Sequence, residues 1–178
     1  MRRIVIALLA CSGLLGCATS PQEPPAPSLL NMQGSDEAQA AALLGAYLVA
    51  RGCTVRLAGE ASVEASDREG AGFMIEVLLD PSGLDRLLVS RQYVVKEGVD
   101  PGRIGAFAAE LNGLLNVGVF SAYPPGILYQ SALPFVDAVD PVVLDAFIDF
   151  TRDVEIAVRQ VEAGRGLLVE VEGATGSR

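Results

Sequence analysis

Apolar residues first recur at helical spacing in the stretch Leu43, Leu44, Tyr47 and Leu48. Ser35 before it can cap a helix, Asp36 and Glu37 suit the positive helix end, and Gly52 can stop it. From Cys53 the period changes to two, with Cys53, Val55 and Leu57 facing one way and Thr54, Arg56 and Ala58 the other, which predicts a strand. Residues Gly59 to Gly72 carry Glu60, Glu64, Asp67 and Glu69 and read as a strand end followed by an exposed turn. Alternation returns at Phe73, Ile75, Val77 and Leu79. Pro81-Ser82-Gly83 then turns the chain into Leu84 to Val95, whose Leu87, Val89, Tyr93 and Val95 share a face.

Asp100-Pro101 pairs a capping carboxylate with proline at the first helical position, ahead of Ile104, Phe107, Ala108, Leu111 and Leu115 at helical spacing. Val117 to Tyr123, Pro124-Pro125-Gly126 and Ile127 to Leu133 form a second hairpin pattern. Asp140-Pro141 repeats the capping device, and Leu144, Phe147, Val154, Val158 and Val161 make the stripe of a last helix. The predicted order is α-β-β-β-α-β-β-α, an α+β domain of two layers in which helices cover one face of a five-stranded antiparallel sheet. Gly166 to Glu172 either adds an edge strand or remains a polar tail.

The amino terminus has a different pattern. Arg2 and Arg3 precede an apolar stretch from Ile4 to Leu15, which has the length of a secretory signal rather than of a membrane span. It ends in Leu14-Leu15-Gly16-Cys17, which resembles the lipobox of bacterial lipoproteins; the resemblance implies cleavage after Gly16 and diacylglycerol on Cys17. Two or three acyl chains bury enough methylene groups to anchor a protein durably. Ala18 rather than aspartate follows the cysteine, which in similar Gram-negative lipoproteins implies an outer-membrane location facing the periplasm, with the inner membrane as the lesser expectation. An uncleaved anchor, or cleavage near Ala10-Cys11-Ser12, is the alternative reading. Pro21, Pro24, Pro25 and Pro27 make residues 17–35 a lipidated, proline-rich tether. The expected division is 1–16 signal, 17–35 tether, 36–164 domain and 165–178 tail or edge strand.

Loss of the signal leaves 11 basic and 22 acidic residues, so the net charge moves from −9 to −11. Such a surface repels phosphate backbones and anionic headgroups, so nucleic acid is not expected as a partner and the membrane is reached through the lipid on Cys17. Cys53 would be the one thiol left after Cys11 and Cys17 are removed or consumed, and its alternation with Val55 predicts a buried, unreactive group. The chain has no histidine, which removes the commonest general base and zinc ligand. It also lacks a nucleophile elbow, a phosphate loop, a Cys-x-x-Cys pair and a dinucleotide fingerprint. Neither catalysis nor a cofactor is expected.

The element order, with Leu111-Asn112-Gly113-Leu114-Leu115-Asn116 entering a hairpin and a long helix from Asp140, resembles the YbjN family and the related type III secretion chaperone-like fold. The resemblance covers roughly residues 36–164. It implies a compact, often dimeric, non-catalytic domain, described as regulatory and related in shape to chaperones that bind extended segments. It brings no catalytic, cofactor or metal residues. The lipobox departs from cytosolic members of that family.

Two constellations remain. Asp145, Asp149 and Asp153 lie four apart on the last helix, a spacing that can present carboxylates to a metal but reads better as a solvated face. Asn112 and Asn116 read as a helix-end cap and a strand-entry turn. The expectation is a protein-binding domain that uses the uncovered sheet face or an unpaired edge strand. A structural or assembly component of the envelope is the alternative, and a histidine-free small-molecule binder or enzyme ranks below both.

Overall fold

The computed structural model describes residues 28–67 and 70–169. In chain order it has β1 (Leu30–Asn31), α1 (Glu37–Ala50), β2 (Thr54–Leu57), β3 (Ser62–Ser66), β4 (Gly72–Leu78), β5 (Asp85–Val94), α2 (Pro101–Leu114), β6 (Val119–Tyr123), β7 (Gly126–Phe135), β8 (Ala138–Val139) and α3 (Pro141–Glu162). The main sheet has six strands in the order β2-β3-β4-β5-β7-β6, every neighbouring pair antiparallel, while β1 and β8 form a small separate pair. Mixed α+β class, three helices and an antiparallel sheet follow the expectation.

The number of strands does not. Residues 59–72, expected as a strand end and exposed turn, contain β3, and Val63 and Ala65 on it are fully buried. Only two apolar residues alternate with Ser62, Glu64 and Ser66, too short a pattern to outweigh the acids around it. The sheet therefore has six strands where five were expected.

The domain is also longer than 36–164. Leu30 pairs with Val139 and Met32 is buried, its N–H donating to the Asp137 carbonyl at 2.8 Å, so the expected tether joins the fold before residue 35. At the other end Leu167 is buried, Lys96 donates to its carbonyl at 2.8 Å, and the Val169 N–H reaches Val94 at 2.9 Å. Glu162 accepts from the Leu167 and Leu168 amides and holds this return. Of the segment expected as a tail or edge strand, residues 165–169 thus dock beside β5, and 170–178 lie outside the described residues.

Each helix starts where a carboxylate caps it. Asp100 and Asp140 act as expected, accepting from Arg103 and Val142 with proline next in chain. For α1 the cap is Asp36 rather than Ser35, in a reciprocal box with Gln39 that satisfies two orphan donors.

All three helices lie on one sheet face. Odd-numbered residues of β3, β4, β5 and β7 point to them, among them Val63, Ala65, Ile75, Val77, Leu87, Val89, Ile127 and Tyr129. α1 and the first turns of α3 pack over β3 to β5 in one core; α2 and the rest of α3 pack over β5 to β7 in a second. α3 contributes Leu144 to the first and Val154 and Val158 to the second, so one long stripe joins both halves. β7 approaches β5 so closely at Gly126 that a Cβ there would lie 2.0 Å from the Tyr93 carbonyl; only glycine fits.

Candidate functional site

Among the described residues, none packs over the sheet face opposite the helices. Pairing sets Glu64, Met74, Ser90, Gln130 and Val119 in one row, and Ser62, Glu76, Leu88 and Ala132 in the next. Because side chains alternate along each strand, the even-numbered residues of β4, β5 and β7 share this face. Met74, Val94, Val119 and Tyr123 on it are 39%, 47%, 52% and 54% exposed, and Leu78, Leu88 and Leu128 are half-buried between them. Arg56 and Glu64 form an ion pair across its β2–β3 margin. The result is a shallow apolar surface with polar side chains interspersed, suited to an extended or amphipathic segment rather than to an enclosed small molecule.

The two edges of the sheet differ. At β6, Asn112 donates to the Phe120 carbonyl at 2.8 Å and accepts from the Phe120 N–H at 2.7 Å. An amide side chain thereby imitates a neighbouring strand at Phe120. Asn112 was expected as a helix cap; its reach across to β6 comes from α2 packing along that strand, which the sequence does not display. β2 borders the sheet on the other side with a four-residue strand.

A cleft of about 330 Å³ opens on the helix side, lined by Arg51, Cys53, Asp67, Asp145, Asp149 and Arg152. Arg51 pairs with Asp145, which also accepts from the Tyr47 hydroxyl at 2.6 Å. Arg152 pairs with Asp67 at 3.3 Å. Both guanidiniums are thus held by the protein's own carboxylates, and an anionic ligand would have to displace them. Cys53, expected to be buried, is half-buried at this cleft and packs against the first core. The carboxylates of α3 divide: Asp145 is tied into the cleft while Asp149 and Asp153 are exposed. Among the described residues no group of three His, Cys, Asp or Glu side chains could hold a metal ion.

Arg91 and Glu155 form a nearly buried ion pair at 3.0 Å, and Arg159 donates to the same carboxylate at 2.7 Å. The Arg91 guanidinium lies 5.4 Å from the centre of the Tyr93 ring. Burial pushes the Tyr93 phenol well above its ordinary range, and the nearby Glu155 carboxylate opposes its ionisation further. This network ties β5 to α3.

Cys17 lies outside the described residues, as do the predicted signal and residues 17–27 of the predicted tether. Among the described residues no helix is long and apolar enough to cross a membrane. A scan against protein-family models finds no match, and no curated protein matches the chain.

Proposed function

We propose that this chain is a lipid-anchored protein-binding domain of the bacterial cell envelope, held to the outer membrane through Cys17 and facing the periplasm. The observation that carries the binding role is the uncovered sheet face, where Met74, Val94, Val119 and Tyr123 lie open to solvent with Leu88 half-buried between them, beside a fold whose helices all pack on the other side. A partner contributes an amphipathic or extended segment whose apolar residues cover this face. The acidic chain, at net −9 and at −11 without the first sixteen residues, favours a segment that also carries basic residues.

The role requires no catalytic group, cofactor or metal. The resemblance to the YbjN family and the type III secretion chaperone-like fold supports the same class, a binding or regulatory domain. The lipobox pattern Leu14-Leu15-Gly16-Cys17 supports the anchor.

Affinity capture from mild-detergent envelope extracts tests the reading, comparing the unaltered chain with Met74→Glu/Leu88→Glu and with Cys17→Ala. The expected result is a protein recovered with the unaltered chain and lost with the double variant. The Cys17→Ala chain should in addition leave the membrane fraction. Equal recovery with the double variant overturns the open-face reading.

A further inference from the structure

The most exposed large apolar residues among those described are Val136, Val142 and Leu29, at 64%, 63% and 61%. Pairing gathers them at one end of the domain. Leu29 and Asp140 lie one step beyond the Leu30–Val139 pair of β1 and β8, and Val142 follows in the first turn of α3. Val136 stands in a three-residue turn between β7 and β8, where Asp137 takes a φ of 58° and the Ala138 N–H returns to the Val136 carbonyl at 2.5 Å. Leu84, 54% exposed, lies opposite Val136, one step beyond the Asp85–Phe135 pair. A non-glycine residue in left-handed backbone is held there by its surroundings, and this turn leaves an apolar side chain in water.

The chain enters the domain at this same end. Ser28 is the first described residue, directly before Leu29, and lies 11 residues after Cys17. Whatever their course, those residues span at most roughly 40 Å. Residues 18–28 contain no apolar side chain other than alanine and proline, so they are a poor cover for exposed valines and leucines.

We infer that the end of the domain bearing Leu29, Leu84, Val136 and Val142 rests on a zwitterionic lipid surface, that of the bilayer holding Cys17. The inference rests on the proposed lipid anchor and adds a second contact, made by the folded domain itself. The length of chain between anchor and patch selects the occupant. It keeps the patch within roughly 40 Å of the bilayer, so that even a weak apolar contact forms at high effective concentration. Aliphatic side chains projecting from a turn and a helix start can enter the boundary between headgroups and acyl chains. Charge selects the kind of surface. Asp80, Asp85, Asp137 and Asp140 lie at the same end, repelling anionic headgroups while able to meet the ammonium of zwitterionic ones. β4 and β7 end here and β5 begins here, so in this orientation the strands rise from the bilayer and the open sheet face stays within reach of a partner.

The chain contains no tryptophan, so a single introduced tryptophan reports the contact. Val136→Trp at the patch and Met74→Trp on the open sheet face are compared in the full lipidated chain, reconstituted into phosphatidylcholine vesicles brominated on the upper acyl carbons. Met74→Trp also controls for the preference of tryptophan itself for membrane interfaces, and circular dichroism verifies each fold. Flotation with the vesicles, compared with Cys17→Ala, reads the anchor separately. The expected result is a chain that floats, with emission from Val136→Trp quenched at least about twofold and that from Met74→Trp by less than about a tenth. Replacing about a third of the lipid by phosphatidylglycerol should lower the quenching at low salt. A chain that floats without stronger quenching at Val136→Trp overturns the inference and leaves the anchor standing, as does quenching that requires the anionic lipid. Blue-shifted emission from Val136→Trp without bromine quenching overturns it in favour of a protein cover. A full chain that does not float contradicts the anchor reading and this inference with it.

Discussion

Asn112 holds Phe120 by both of its backbone groups, donating to the carbonyl at 2.8 Å and accepting from the N–H at 2.7 Å. One side chain on α2 therefore satisfies the outward backbone groups of Phe120 and pins the second hairpin under its helix. Replacing Asn112 with alanine removes both bonds while leaving the Phe120 ring in the core. The expected cost is about 1–2 kcal/mol, seen as a lower denaturant midpoint at unchanged m-value. Hydrogen exchange at the Phe120 amide should quicken more than at amides of β4. An unchanged Phe120 exchange rate would contradict the role assigned to Asn112.

The Arg91–Glu155 pair is nearly buried, with the two side chains 15% and 12% exposed. Removing Glu155 leaves the Arg91 guanidinium with little water to solvate it, whereas removing Arg91 leaves Glu155 its contact with Arg159. Glu155→Leu is expected to destabilise the domain by about 3 kcal/mol, and Arg91→Leu/Glu155→Leu by less than the sum of the single changes. Additive costs in that double-mutant cycle would show that the pair is not coupled.

The Tyr93 hydroxyl is buried and makes no hydrogen bond of ordinary geometry. Its folded pKa is raised above the unfolded value by burial. Below about pH 10, the ordinary tyrosine value, both folded and unfolded states keep the proton and stability does not depend on this group. Above it the unfolded chain ionises first, so stability falls as pH rises. Tyr47 and Tyr129 are raised by burial too and contribute in the same direction. Tyr93→Phe loses no hydrogen bond, so its stability at pH 7 should lie within about 1 kcal/mol of the unaltered chain, while its alkaline unfolding midpoint moves upward. A midpoint that stays in place would contradict this account.

Most of the architecture is legible in periodicity because its signals agree across levels. Asp100-Pro101 and Asp140-Pro141 announce α2 and α3, and Phe73, Ile75 and Val77 alternate through a strand that is buried on one face. β3 is obscured because Val63 and Ala65 are flanked by serines and glutamates, and its burial comes from α1 packing across it. The even-numbered residues of β4 and β5 form a recognisable second set in the sequence. That they remain uncovered depends on all three helices choosing the same side, a tertiary outcome. Asn112 stands out by its position at the end of α2, but nothing local signals that its amide would serve as a strand mimic.

We propose that this domain meets another protein on the uncovered sheet face. Photo-cross-linking in intact cells tests it most directly, with a photoreactive residue placed at Met74 on that face or at Val142 on the helix side, both exposed. A discrete adduct with another protein is expected from position 74 and none of the same mass from position 142. No adduct from position 74, or the same adduct from both positions, would contradict it.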